Sequence, residues 1–405
     1  MLHAVSEGRE PGAQRALESR RPRLIIPAVF RLATSFLVWM AMLQLCHAQQ
    51  TDPGAIVVTG VPSVPARSVV YRVQDSRAIS DYDVDPGPVR RMVDDLVMAA
   101  TGEFSVVSAW ASLVKPTDIV GIKVCANGAP LFSTHPEVIR AIILGLNAAG
   151  VPSQNIVVWD RDEDLLKRAG YHSTKGGYRL MWNTSNYDPR VVLSSSIAGK
   201  LIYGDLLFVG KQIINLKEDL YSDPKGLNTV ISNPGARKGK ETDQISGQSH
   251  VSRVLTQVVS KVINVPVLSD NVACGLSGAL FNMTIQNMDN WRRLVQDPVN
   301  GDPAIPESYA DPRISDKVVL HLMDGLVALY AGAPMGNINY AIQHGALYAS
   351  KDPVALDAVA AHKLDQWRVS AKMTPVSKIA KYLQTATTYG LGNSDLSRID
   401  TREVR

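Results

Sequence analysis

The chain has 405 residues, 45% of them hydrophobic and 20% charged, which is enough apolar material for one large globular domain or two modest ones. That balance excludes the disordered, collagen-like and multi-span membrane classes, and the lack of any fixed-period repeat excludes solenoids and propellers. The formal net charge of +4 is local: six arginines (Arg9, Arg15, Arg20, Arg21, Arg23, Arg31) against three glutamates (Glu7, Glu10, Glu18) fall within residues 1–48, leaving 36 basic and 35 acidic residues beyond, so nucleic acid is not an expected partner.

The arginine-bearing segment runs to Arg31, an almost uncharged apolar run follows from Leu32 to Leu45, and Cys46-His47-Ala48 precedes Gln49. This is the three-part layout of a secretory signal. The apolar run is shorter than the roughly 20 residues of a bilayer-spanning helix. Residues 1–48 are therefore read as a signal peptide cleaved near Ala48, giving an exported protein, periplasmic or extracellular, that touches the membrane only through that signal. Ser19-Arg20-Arg21 resembles a twin-arginine signal, but Arg23 stands where an apolar residue is preferred, and both export routes stay open. Leu45 is too bulky before Cys46 for a lipoprotein box, so Cys46 goes with the leader.

Residues 49–85 read as an extended lead-in punctuated by prolines. A helical pattern through Val89, Met92, Val93, Leu96 and Val97 opens at Pro88 and closes at Gly102. Ile119–Val124 is a short β-branched run, followed by Thr134 and Glu137 at capping-box spacing and a helix carrying Val138, Ile139, Ile142, Ile143 and Leu146 to Gly150. Asn155–Trp159 is the next strand, ending at Asp160, and this strand, helix, strand unit makes the two strands parallel. Short alternating runs at Tyr178–Met181, Val191–Leu193, Leu201–Tyr203 and Gln212–Leu216 predict an antiparallel insertion over 171–216. Residues 222–249 form a long polar loop, readable as a lid, a binding loop or a tolerated insertion. A helix from near Ser249 through Gln257–Lys261, strands at Val262–Leu268 and Lys317–Met323, and Ala346–Ala349 leading into a helix from Pro353 to about Trp367 complete the pattern. Residues 86–389 are thus expected to form an α/β domain with a mostly parallel sheet flanked by helices and a smaller antiparallel insertion, and residues 390–405 a polar tail that frays.

No phosphate-loop, dinucleotide-fingerprint, H-E-x-x-H or G-x-S-x-G pattern occurs. Polar residues instead gather at the carboxyl ends of predicted strands, where ligands bind in open α/β sheets. Lys123 and Asn127 follow the first, Asp160 ends the second, Asn271 and Asn282 follow the third, Asp324 ends the fourth and Asp352 the fifth. Each has a plainer reading. Asp352 before Pro353 is an N-cap, Asp324-Gly325 a turn, and His135 a helix-start residue. Beyond the leader only Cys125 and Cys274 remain, too few and too far apart for a zinc ribbon or an iron–sulfur cluster. A disulfide between them and two separate buried thiols are both open.

Thr134-His135-Pro136-Glu137-Val138, Ile263-Asn264-Val265-Pro266-Val267-Leu268, Gly275-Leu276-Ser277-Gly278-Ala279-Leu280 with Asn282, Met323-Asp324-Gly325, Gly332-Ala333-Pro334-Met335-Gly336 and Ala349-Ser350-Lys351-Asp352-Pro353-Val354-Ala355-Leu356-Asp357-Ala358 resemble, in that order, the motifs of the domain of unknown function 362 family. The resemblance spans about residues 115–365. It implies an exported protein of a family with no settled activity, some relatives carrying an iron–sulfur module whose cysteines this chain lacks. The family's usual Lys and His after the apolar strand are replaced by Ser269 and Asn271, a further Lys by Phe281, and the Pro-Asn after Lys123 by Val124-Cys125. Cys125 and Cys274 lie inside two of the motif loops, which would place them within bridging distance if those loops share a rim.

Two expectations follow. In one, the protein is an acid/base or redox enzyme in which Lys123, Asp160 and Asp324 act on a small anionic ligand or a divalent metal held with Asn127, Asn271, Asn282 and Asp352. In the other, loss of the family's Lys and His leaves a non-catalytic ligand-binding or assembly protein. A small-molecule ligand is expected in both; the cofactor and the oligomeric state stay open.

Overall fold

The structure is a computed structural model that describes residues 64–173, 177–193, 249–289, 291–295 and 299–404. The proposed leader, the polar loop 222–248 and the runs at Leu201–Tyr203 and Gln212–Leu216 lie outside the described residues.

The strands, in chain order, are β1 (Ser68–Gln74), β2 (Ile79–Ser80), β3 (Asp83–Val84), β4 (Val120–Val124), β5 (Ile156–Asp160), β6 (Arg179–Trp182), β7 (Tyr187–Leu193), β8 (Ser249–Ser252), β9 (Lys261–Val265), β10 (Val267–Asn271), β11 (Gly275–Leu276), β12 (Val318–Leu329), β13 (Ala341–Ser350) and β14 (Ile399–Glu403). Eight of them line up as β14-β1-β13-β12-β9-β4-β5-β6, with β10 and β11 joined beside β12. The run β12-β9-β4-β5-β6 is parallel throughout, and β13 is antiparallel to both of its neighbours. Two-stranded antiparallel pairs, β2 with β3 and β7 with β8, lie beside the main sheet. The α/β class with a mostly parallel sheet and small antiparallel additions is therefore observed.

Helices cover both faces of the sheet, so β4 and β5 are buried along their whole length, as continuous apolar runs in parallel sheets must be. Their alternation sorts the core. Val120, Ile122, Val124, Ile156 and Val158 join the cluster under helices Pro86–Thr101 and Pro136–Ala148, whereas Val157 and Trp159 join the cluster under helix Pro353–Ser370. Helix Pro136–Ala148 buries Val138, Ile139, Ala141, Ile142, Gly145 and Leu146, the three-and-four spacing of a single apolar stripe.

Several expected elements differ. Thr134 and Glu137 make no capping box: His135 is the N-cap, without a side-chain cap bond, and the Thr134 hydroxyl instead takes the Cys125 N–H at 2.9 Å and donates to the Val265 carbonyl at 2.8 Å. The helix expected from Ser249 is strand β8 followed by a π-turn over Val254–Val258, because Ser249–Ser252 pairs with Tyr187–Leu193 across the polar segment. Pro266, which cannot donate to a ladder, divides the single strand expected at Val262–Leu268 into β9 and β10. Tyr178–Met181 belongs to β6, parallel to β5 in the main sheet rather than in the antiparallel insertion. Asp324-Gly325 lies inside the long strand β12, not at a turn. The lead-in and the tail also pair: β14 runs parallel to β1, and buried Asn393 donates to the Pro65 carbonyl and to Ser68 Oγ, so the polar tail carries a strand of the main sheet.

Candidate functional site

Lys123 sits between Ile122 and Val124, both committed to one core, so alternation turns its side chain to the opposite face. There it stands in register with Trp159 on β5 and Asn264 on β9, and Asn264 in turn with His321 on β12. The four make a polar row across a buried sheet, facing the short helix Ala279–Met283. The Lys123 ammonium donates to Asp160 Oδ1 at 2.5 Å, the Val124 carbonyl at 2.8 Å and Asn282 Oδ1 at 3.1 Å. Asn282 Nδ2 donates to Asn264 Oδ1 at 2.8 Å, and Asn264 Nδ2 to the Ala279 carbonyl and to His321 Nδ1, both at 2.9 Å. With Nδ1 accepting, His321 presents its Nε2–H to the Tyr309 hydroxyl at 3.2 Å. Trp159 Nε1 donates to Asn287 Oδ1 at 3.0 Å.

Burial governs the charges of this row. It lowers the Lys123 pKa against the opposing pull of Asp160, and it draws His321 down to about 3, leaving a neutral imidazole at neutral pH. Lys123 is fully buried, and each of its three N–H directions already meets a protein acceptor. In this arrangement its ammonium is engaged by protein acceptors alone. Asp160 is likewise engaged on both oxygens, by Lys123 and by the Ala126 N–H at 2.7 Å. Of the candidates, Lys123, Asp160 and Asn282 do meet, but as a sealed network that fixes the segment Ala279–Asn287 on the sheet.

Asp324 belongs to a second cluster. One of its oxygens, Oδ2, accepts both the His135 backbone N–H and ring Nδ1, each at 2.8 Å, while Oδ1 accepts the Leu326 N–H at 3.0 Å. Its carboxylate thus occupies the start of helix Pro136–Ala148, where the helix dipole favours negative charge. Burial would lower the His135 pKa, but the charge and hydrogen bond of Asp324 outweigh it and raise it above that of a free histidine. His135 is 8% exposed, and its Nε2 is buried with no hydrogen-bond partner. Thr134, beside it, bonds the backbone of Cys125 in both directions and offers its own carbonyl to the Tyr171 hydroxyl at 2.7 Å.

Cys125 opens onto a third feature, a cavity of about 10 Å³ lined also by Asn127, Gly128, Phe132, Val267, Ser269, Ser277, Leu329, Ala333 and Pro334. That is room for about one water molecule. Burial pushes the Cys125 thiol up to about 12. Ser269 and Ser277 both donate to the Asp270 carbonyl at 3.2 Å. Asn271 touches this edge through Ser277, at 3.2 Å, while its Oδ1 closes the turn to Ala273 and Cys274. The replacements at Ser269 and Asn271 therefore stand by the cavity, whereas Phe281 is buried in the core.

Asp352 joins neither cluster. Its Oδ1 caps the helix at Ala355, as the plainer reading held, and its Oδ2 accepts Ser68 Oγ at 2.5 Å and the Asn393 N–H at 3.0 Å, tying together the two ends of the domain. The three aspartates proposed around a divalent metal thus stand in separate hydrogen-bonded settings, and among the described residues no three His, Cys, Asp or Glu side chains are grouped to hold a metal ion. The bridge between Cys125 and Cys274 is not formed: both are free, buried thiols. Cys125 lines the small cavity, whereas Cys274 Sγ lies beside Gly301 in the core cluster that holds Ile305.

Sequence reasoning passed over Asn264, His321 and the pairing of His135. The signal for the first two was present, a polar residue breaking an apolar strand run in Val262–Leu268 and in Val318–Leu329. For His135 the partner lies 189 residues away and no local pattern announces it.

Residues 236–362 match the family described as Domain of unknown function (DUF362). The match takes in Asn264, Ser269, Asn271, Asn282, His321, Asp324 and Asp352, and stops short of Lys123, His135 and Asp160. No curated protein matches the chain. Among solved structures it is similar to a crystal structure of a protein from Thermotoga maritima, at 10% identity and a TM-score of 0.32, over 60% of this chain and 51% of that one, so the chain spans about half the length of that relative.

Proposed function

We propose that this protein binds a small anionic ligand at the carboxyl edge of its parallel strands, with His135 and Asp324 as the group that meets it and moves a proton. One observation carries this reading: a buried carboxylate holds His135 through both its backbone N–H and Nδ1, leaving Nε2 buried and unpartnered. An imidazole oriented through one nitrogen by a carboxylate and open at the other is the arrangement of a general acid or base. The charge and hydrogen bond of Asp324 raise the His135 pKa against desolvation, and a proton on Nε2 would make it a charge-assisted donor suited to a carboxylate or phosphate oxygen. Asn127, Ser269 and Ser277 supply polar groups at the edge of the small cavity onto which Cys125 opens.

The test is nuclear magnetic resonance of the His135 imidazole while inorganic phosphate or acetate is added. A saturable shift of its ring resonances, absent in Asp324→Asn, supports the reading. Ring resonances that do not respond to either anion, together with native mass spectrometry that finds no co-purifying small molecule, overturn it. A binding-only role is favoured by a specific observation, the sealing of Lys123 and Asp160 inside the protein, which removes both from proton transfer with a ligand. Retained ligand with no turnover of it would select that role. The charge layout of residues 1–48 supports export, tested by whether the mature chain begins near Gln49.

A further inference from the structure

The segment linking β12 to β13, Tyr330–Tyr340, passes over the cavity and supplies part of its wall through Ala333 and Pro334. Few ties hold its tip. The Asp270 carboxylate, only 2% exposed, accepts the backbone N–H groups of Gly332 at 3.1 Å and Ala333 at 3.0 Å. Arg368 braces the same place, donating to the Tyr330 carbonyl at 2.7 Å and reaching Asp270 at 3.4 Å. Beyond these, Gly336 rests on the ring of Phe132, which itself lines the cavity from the opposite loop.

The outer side of the segment is not packed: Met335 and Ile338 are 56% and 55% exposed. Gly332 and Gly336 both have positive φ, +87° and +73°, so the tip is flanked by backbone positions able to turn where other residues are strained. Ala331, Ala333 and Pro334 are buried against the protein, but the polar ties that hold the segment down are few, and a segment so held opens at lower free energy than the core around it.

The geometry points to Tyr330–Tyr340 being a lid over the cavity, with Asp270 as its latch and Phe132 as the plug beneath it. The inference rests on the cavity edge of the proposed ligand site but not on His135. Closed, the lid leaves room for a single water, so a ligand larger than that enters only when Ala333 and Pro334 lift and Phe132 swings aside. Asp270 is a positioning residue: it fixes the lid through two backbone amides and touches no ligand itself.

Cys125, on the cavity floor, reports the lid's state, because a thiol sealed in the closed form becomes available to a reagent only in the open one. The experiment is maleimide labelling of the full chain at one fixed pH, resolved by peptide mapping so that Cys46, Cys125 and Cys274 are read separately. Two variants loosen the lid from different sides: Asp270→Ala removes the latch, and Gly336→Ala introduces a methyl that overlaps the Phe132 ring. Loss of charge-assisted hydrogen bonds of this kind corresponds to at least about a tenfold rise in opening. Both variants are expected to label at Cys125 at least tenfold faster than the parent, with Cys274 unchanged. Unchanged labelling of Cys125 in both overturns the lid. Labelling of Cys125 and Cys274 together also overturns it, since Cys274 is fully buried in the core cluster under helix Pro353–Ser370 and its exposure means wider unfolding. The phosphate and acetate titration of His135 is independent of this outcome, so failure of the lid and failure of the ligand site are told apart.

Discussion

Replacing Lys123 with Met separates a structural role from a ligand-binding one. The substitution keeps the length and apolar stem of the side chain and removes only the ammonium. Asp160 would then hold a buried carboxylate on the Ala126 N–H alone, and the Val124 carbonyl and Asn282 Oδ1 would each lose a donor. Breaking a buried ion pair by deleting one partner costs about 3–5 kcal/mol. Against a total stability of roughly 5–15 kcal/mol this is a large fraction. Urea unfolding followed by tryptophan fluorescence should therefore show a markedly lower midpoint for Lys123→Met. The double variant Lys123→Met, Asp160→Asn leaves an uncharged acceptor for Ala126 and should recover about half or more of the loss, a coupling of about 2 kcal/mol or above. A single variant as stable as the parent, or a double variant no better than the single, would refute the sealed network and return Lys123 to the list of ligand contacts.

Asp357 is buried against the Ala279 and Leu280 amides, and desolvation raises its pKa from 3.8 to about 7. An acid whose pKa is raised by folding contributes stability that falls as pH rises from the unfolded value towards the folded one. Asp357→Asn lacks that titration, so its stability relative to the parent should improve by about 2–3 kcal/mol between pH 5 and pH 8 in urea melts, and a difference independent of pH would contradict the assignment. Asp352→Ala removes a helix cap and the ties to Ser68 and Asn393, and should lower stability by about 2–4 kcal/mol while leaving the phosphate-induced shift of His135 intact; loss of that shift in a folded variant would restore Asp352 to the ligand site. Alkylation in denaturant without reductant should modify both Cys125 and Cys274, and a disulfide-linked peptide pair would disprove the free thiols.

Local pattern was enough for the α/β class, for most strands and helices of the parallel run and for the Asp352 cap, because two-residue and three-to-four-residue periodicities are set by the chain's own geometry. It was also enough to single out Lys123, Asp160 and Asn282, polar residues at strand ends or next to apolar runs. Pattern failed where distant segments compete for the same backbone. Ser249–Ser252 became a strand because Tyr187–Leu193 was there to pair with it, and Ile399–Glu403 because β1 offered an edge.

Only the tertiary structure decided what the polar residues do. Lys123 and Asn282 lie 159 positions apart and Asp324 and His135 189, and their chemistry depends on how many acceptors surround each group and whether water reaches it. Composition and spacing carry neither quantity. The same Lys and Asp read as a ligand site along the chain and as a satisfied internal pair in space, whereas a histidine read as a helix start proves to be the buried group with an open nitrogen. Desolvation and hydrogen-bond saturation are properties of the folded surroundings, and they separate the residues available for chemistry from those committed to holding the sheet together.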